Sequence, residues 1–365
     1  MRFNRRALIV TAGATALASA ASSLFARSKP KKVLILGGTG FIGPHFVKAL
    51  LDGGHTITLF NRGKRDPEAH PGVEQLLGDR DGKLETLANR SWDVVIDNSG
   101  YYPRVVRQSA ELLKPRVPHY IFISSIAVFA DLSQPGGDES SERSKLVGGE
   151  KEEFDPATYG PFKSACEDVL TEIYGARATL IRPTYIAGPG DLTDRFTYWP
   201  FRLSQGGEML APGKAADPME YIDVRDVADF VRVAVEKRAT GPYTLCVPAG
   251  SNTIGNVLDT SKRVTGADTR VTWASEQFLR THGLIESHLV RRAKFPLWMP
   301  REGNEGYGYR SSTRAMAQGL KFRTLEQTVR DTLEWQKTRP AENQTLKAGL
   351  TPELEAQLLK QIHGA

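Results

Sequence analysis

At 365 residues, 40% hydrophobic and 25% charged, the chain can bury a large core, and its composition excludes both a disordered protein and a membrane bundle. Its net charge of +6 falls to +3 once Arg2, Arg5 and Arg6 are set aside with the first 26 residues, so no nucleic-acid partner is expected. Cys166 and Cys246 are too few for a disulfide scaffold and read as two buried thiols, a single bridge between them depending on geometry.

Residues 1–26 read as an address. A basic start, MRFNRR, is followed by a small-residue apolar run and a polar exit, with no acid before Asp52. Arg5-Arg6 with Ala7, Leu8 and Ile9 resembles a twin-arginine export signal, the alternatives being a general secretory signal, an uncleaved anchor or a merely disordered start. Cleavage is expected at Ala18-Ser19-Ala20 or at Ala26, leaving a periplasmic or otherwise exported protein without stable membrane insertion.

Next, Lys31 to Leu36 is a short apolar run between charge and glycine, the pattern of a buried parallel strand. A helix is expected from Phe41, strands at 55–60, 92–96 and 119–125, and a helix over Arg104 to Leu113. Leu132 to Pro156 reads as a surface excursion, Pro161 to Tyr174 as a helix and Ala178 to Arg182 as a strand. Beyond Gly188 the pattern turns irregular, except for a strand and helix over Glu220 to Val235. Residues 252–306 read as lobe material, and Pro352 to Ile362 as one amphipathic helix. The alternation implies an α/β fold, a doubly wound parallel sheet with a smaller C-terminal substrate lobe.

Gly37-Gly38-Thr39-Gly40-Phe41-Ile42-Gly43 follows the first strand and opens a helix. A pyrophosphate needs backbone N–H groups and a helix N-terminus there, and Gly37, Gly40 and Gly43 keep side chains out of its way. At the end of the second strand, where an acid usually meets the ribose of NAD, the chain reads Asn61, Arg62, Gly63, Lys64, with no carboxylate until Asp66. A 2′-phosphate of roughly −2 charge suits those cations, so NADP is favoured over NAD.

Tyr159 and Lys163 share a helix face at i and i+4, where the ammonium would stabilise a phenolate. Tyr159 is the expected acid/base and Lys163 the residue that tunes it and holds the nicotinamide ribose. Ser125, at the end of a strand, is the expected hydrogen-bond donor to the reacting oxygen, with Ser124 as the alternative one register away. Tyr101, Tyr102, Tyr185, Tyr198 and Trp199 line a substrate cleft or serve as packing. Seven histidines show no ligand spacing, and no metal is expected.

In the spacing G-x-x-G-x-x-G, the serine and the Y-x-x-x-K pair, the chain resembles the short-chain dehydrogenases/reductases. From about Lys31 to Pro340 it is similar to their extended branch, the NAD-dependent epimerase/dehydratase family exemplified by UDP-galactose 4-epimerase. Arg182-Pro183, Gly188 to Asp191, Tyr221 to Ala228 and Pro300 to Asn304 carry that likeness. The resemblance implies a Rossmann domain over 31–190, a lobe over 191–340 with a return strand and helix near 218–236, and a tail over 341–365. It places Asp79 and Arg80 near the adenine, and Asn98, Ser99, Gly100 and Pro183 beside the cofactor. It also implies a possible homodimer. Met219 stands where the branch commonly has a diphosphate-binding arginine, and Tyr185 where it has an asparagine that touches the sugar nucleotide; Arg301 is kept. Tyr102, Tyr185 and Arg301 are the expected substrate residues.

An NAD(P)-dependent oxidoreductase or epimerase acting on a sugar-like, possibly nucleotide-linked substrate is therefore expected. Export favours a cofactor loaded beforehand and regenerated in each cycle, as in epimerisation through a ketone. The alternative is a non-catalytic nucleotide-sensing or RNA-binding relative of the fold, to which Phe60 to Lys64 lends a likeness to chloroplast stem-loop-binding proteins.

Overall fold

Along β1 (Lys32–Leu36) the side chains alternate between two cores, Val33 and Ile35 entering one and Leu34 and Leu36 the other, all fully buried. A strand covered on both faces belongs to a parallel sheet with helices on either side. The computed structural model, which describes residues 29–65, 70–148, 151–153, 155–285 and 293–364, has that arrangement. The expected export signal lies outside the described residues.

The sheet continues through β2 (Thr56–Asn61), β3 (Glu74–Leu77), β4 (Val94–Asp97), β5 (Tyr120–Ile123) and β6 (Ala178–Pro183). Outside it lie the short strands β7 (Ile186–Ala187), β8 (Gly207–Pro212) and β9 (Ile222–Asp223); β10 (Gly241–Leu245) rejoins it. The order is β10-β6-β5-β4-β1-β2-β3, every neighbouring pair parallel. The chain winds outward from β1 in one direction and from β4 in the other. Their C-terminal ends therefore flank the switch-point crevice where doubly wound sheets bind ligands.

Helices α1 (Gly43–Asp52), α2 (Pro103–Leu113), α3 (Pro156–Tyr174), α4 (Tyr198–Ser204) and α5 (Val224–Lys237) follow their strands. Phe46 and Leu50 of α1 pack with Phe230 and Val231 of α5 on one face; Val106 and Ala110 of α2 pack with Cys166 and Leu170 of α3 on the other. Helix α3 begins five residues earlier than expected. Asp155 caps it by accepting from the Ala157 N–H, and Pro156 occupies its first turn. Pro161, read from sequence as the start, sits inside and forgoes one intrahelical bond.

The return to the sheet is longer than expected. Beyond α5 it includes β10, whose Gly-Pro start hides the strand pattern, and a later helix α8 (Thr313–Gln318), whose Ala315 joins the same core. The lobe pairs β8 with β11 (Thr269–Ala274) and packs α4, α6 (Ile254–Thr265), α7 (Glu276–Thr281) and α9 (Leu325–Thr338) around a second core. Tyr198 and Trp199 are buried there, Trp199 donating to the Pro296 carbonyl, so they pack rather than line a cleft. Residues 352–364 are no loose tail: α10 (Pro352–Gly364) inserts Leu358 and Leu359 into this core, and Glu355 accepts from Arg202 Nε at 2.6 Å and from the Leu210 N–H.

Candidate active site

At the mouth of the switch-point crevice, Gly37 and Gly38 adopt φ of 105° and 97°, a region L side chains rarely visit. A Cβ on Gly37 would lie 2.2 Å from Asn98 Oδ1, and one on Gly43 2.3 Å from the Gly38 carbonyl, so these glycines let the turn close on β4 and let α1 pack on the turn. Gly40 has only Arg65 Nη1, at 3.6 Å, near its front. Helix α1 starts with no side-chain cap at Ile42. Its free N–H groups and positive dipole end therefore face the space a pyrophosphate would need. These features fit a dinucleotide, which Gly37, Gly40, Phe41, Ile42 and Gly43 would cradle. Phe41 packs edge-on against His45, whose Nε2 is 2.8 Å from the Pro189 carbonyl; burial lowers the pKa of that imidazole.

At the end of β2, the side chain of Asn61 accepts from the Gly63 N–H and donates to Gln75, so it shapes the turn. Arg62 and Lys64 are exposed. Arg65, which sequence reasoning missed, reaches back to donate to the Thr39 carbonyl at 3.1 Å and so overlies the glycine turn.

Behind the crevice the Arg80 guanidinium is buried and forms a bidentate pair with Asp97 at 2.6 and 2.7 Å, with a further bond to Ser109. Tyr120 Oη donates to the same carboxylate, and burial holds its phenol well above the usual range. Asp97 also accepts from the Ser99 N–H, and Ser99 Oγ donates to the Leu36 carbonyl. The network thus braces the residues Asn98, Ser99 and Gly100 that line the crevice. Asp79 stays half-buried and accepts from the Asp81 N–H in its own turn.

Lys163 is almost fully buried on α3, and its Nζ donates to the Gly100 carbonyl at 2.8 Å and the Ile123 carbonyl at 2.6 Å. It also lies 4.1 Å from the centre of the Phe122 ring. Burial pulls its pKa down to about 8. One ammonium thereby ties the C-terminal ends of β4 and β5 to α3. Tyr159, one helical turn away, is half-buried, with Tyr101 6.1 Å from it, ring to ring.

Ser125 is half-buried at the end of β5, and its Oγ accepts from the Ala127 N–H at 3.1 Å, starting a single 3-10 turn over Ile126–Val128. That leaves its hydroxyl proton available for donation. Ser124 is buried in the sheet, its N–H bonded to the Ile181 carbonyl. Helix α3 reaches the turn because residue 160 is glycine: a Cβ there would lie 2.1 Å from the Ala127 carbonyl oxygen. The Tyr-Gly dipeptide carried that signal unnoticed.

Pro183 ends β6, buried next to the crevice. Tyr102 stacks edge-on against Phe162 at 5.3 Å and precedes α2. Tyr185 lines a cavity that begins at Ile126. The half-buried Arg301 guanidinium donates to the carbonyls of Asn304, Glu305 and Tyr307 and so closes its own loop. Both cysteines are buried thiols, and among the described residues no three His, Cys, Asp or Glu side chains cluster to hold a metal.

Residues 33–246 match the model of the NAD dependent epimerase/dehydratase family, and the chain belongs to that family, the extended short-chain dehydrogenases/reductases. It is 30% identical over 231 residues to the chloroplast stem-loop binding protein of 41 kDa b of Arabidopsis thaliana, covering 58% of this chain and 57% of that one. The chain therefore spans little more than half the length of that relative. It is also 26% identical over 298 residues to sterol demethylase protein B of Methylococcus capsulatus, with 73% of this chain and 84% of that protein covered. Among solved structures, the fold is similar to UDP-glucuronic acid 4-epimerase from Bacillus cereus in complex with NAD, at a TM-score of 0.60 and 13% identity, covering 83% and 96% of the two chains.

Proposed function

We propose that the chain is an NADP-dependent oxidoreductase or epimerase that moves a hydride to and from a hydroxyl-bearing carbon of a sugar-like substrate. The observation that carries this is the convergence of Ser125, Tyr159 and the buried Lys163 ammonium at the carboxyl ends of β4 and β5, beside an uncapped, glycine-lined helix start. When bound, the nicotinamide supplies the hydride acceptor and donor. Tyr159 takes the proton from the substrate hydroxyl during oxidation and returns it on reduction. Lys163 stabilises the phenolate through its charge, and its remaining N–H is free to hold a ribose hydroxyl. Ser125, whose oxygen is already engaged by the Ala127 N–H, donates its proton to the reacting oxygen.

NADP is preferred because residues 61–65 present Arg62, Lys64 and Arg65 and no carboxylate at the ribose end of the site. Export of a preloaded enzyme accounts for the first 26 residues and favours epimerisation, which regenerates its cofactor in every turnover. The test is mass spectrometry of small molecules released from the exported protein, with titration of NADP and NAD into stripped protein. Stoichiometric NADP(H) is expected. A protein that carries neither dinucleotide and binds neither sinks the reading, whereas NAD alone overturns only the roles of Arg62 and Lys64.

A second reading, RNA binding, is favoured by the similarity to a stem-loop binding protein. It requires tight association with a hairpin RNA at about 150 mM salt, where non-specific contacts to phosphate weaken. Fluorescence anisotropy decides it.

A further inference from the structure

Between β7 and α4 the chain passes from the crevice into the lobe, and the start of that passage packs on the dinucleotide cradle. A Cβ on Gly190 would lie 3.3 Å from Phe41 Cδ2, and the Pro189 carbonyl meets His45. The passage ends at Arg195, just ahead of α4. The Arg195 guanidinium lies over the ring of Tyr185, 5.1 Å from its centre. Tyr185 in turn shares a wall with Ile126, the residue after Ser125. A cation thereby stands beside the route from the glycine turn to the serine.

That cation is fixed from behind. Its Nε donates to Thr193 Oγ1 at 3.0 Å, and the same hydroxyl donates to Asp191 Oδ1 at 2.7 Å. Asp191 also accepts from the Thr193 N–H; it is buried, and burial raises its pKa, which weakens its hold on a nearby cation. Asp194, immediately before Arg195, has a φ of 62°, a left-handed backbone uncommon outside glycine. Arg339 Nη1 at 2.7 Å and the Lys347 N–H at 2.9 Å both donate to its carboxylate and hold it there. Backbone kept in such a region by its surroundings gathers at ligand clamps.

What Arg195 lacks is a partner for its terminal nitrogens. Arg202, Arg225 and Arg301, also partly buried, all place Nη1 and Nη2 on carboxylates or carbonyls. Among the described residues, Arg195 Nη1 and Nη2 have neither a hydrogen bond nor an ion pair. A half-buried guanidinium stays charged and has given up part of its hydration, a cost that an oxygen-bearing anion offsets. Its paired N–H groups match the two oxygens of a carboxylate or phosphate, and bonds to such charged acceptors are about twice as strong as those to a neutral hydroxyl. We propose that Arg195 is a substrate-binding residue that holds an anionic group of the substrate through Nη1 and Nη2, with Tyr185 supporting the guanidinium plane. The inference rests on the oxidoreductase reading above and narrows its substrate to sugar-like molecules that carry a carboxylate or a phosphate.

The experiment is isothermal titration of the full chain loaded with dinucleotide, with glucuronate, glucose 6-phosphate and UDP-glucose as anionic probes and glucose as the neutral one. At least one anionic probe is expected to bind about tenfold or more tighter than glucose, and which one does so identifies the group as a carboxylate, a phosphate ester or a diphosphate. Arg195→Met keeps an apolar stem against Tyr185 and removes the charge. It should weaken that probe by about tenfold or more, while the Kd of glucose and of the dinucleotide stays within about twofold and so reports intact folding. Arg195→Lys should fall between the two, since an ammonium keeps the charge without the fork. No anionic probe tighter than glucose, wild-type affinity in Arg195→Met, or an equal loss of dinucleotide affinity overturns the inference and leaves the oxidoreductase reading standing. Failure of the wild-type chain to bind either dinucleotide removes that reading and the inference with it.

Discussion

Replacing Gly160 by alanine sets two physical expectations against each other. Helix propensity alone favours the change, since alanine in a helix interior is worth about 1 kcal/mol over glycine. Tertiary structure opposes it. The new methyl would stand 2.1 Å from the Ala127 carbonyl oxygen, backbone that cannot rotate away, where ordinary contact begins near 3.4 Å. Helix α3 and the 3-10 turn must then separate by about 1 Å, and overpacking of this kind costs roughly 1–3 kcal/mol. With backbone on both sides the upper half of that range applies, so Gly160→Ala should lower stability by about 1–2 kcal/mol net. Urea unfolding measures this directly: the midpoint should fall with an unchanged slope. Because the displacement separates Tyr159 from Ser125, kcat on any substrate found should drop by about 100-fold, as misplacement of about 1 Å does elsewhere. A variant that is more stable than wild type would refute the reasoning, because only propensity would then be acting.

Other predictions test other parts of the molecule. His119 is buried, its Nε2 2.7 Å from Thr179 Oγ1, and burial lowers its pKa from 6.5 to about 4. The unfolded chain binds the extra proton first, so stability that is complete above pH 6.5 should fall by about 3 kcal/mol as the pH drops to 4. His119→Gln should flatten that part of a stability-versus-pH curve. Arg80→Met should cost about 3–5 kcal/mol by stranding the buried Asp97 carboxylate and, by loosening Asn98, Ser99 and Gly100, weaken dinucleotide binding as well; urea unfolding and a binding titration measure the two effects. Glu355→Leu should destabilise the lobe by about 2–3 kcal/mol through loss of its bonds to Arg202 and the Leu210 N–H, a cooperative loss visible in the same unfolding assay.

Features whose cause is local were legible in the chain itself. The buried strand before Gly37, the glycine turn and the four-residue spacing of Tyr159 and Lys163 each follow from backbone geometry and periodicity over a few residues, and the order of these motifs pointed to the doubly wound sheet. The assignment of individual cations was not legible. Arg80 and Arg301 look alike in sequence to Arg62 and Lys64, and only folding decides that the first meets Asp97, the second its own loop carbonyls, and the others solvent. Strand β10 was hidden because its Gly241-Pro242 start breaks the strand pattern, and only its pairing with β6 reveals it. Gly160 depends likewise on approach between distant segments. Hydrogen bonding and desolvation are set by the neighbours a side chain finally meets, and sequence spacing records those neighbours only when they lie within a turn or two of the same element.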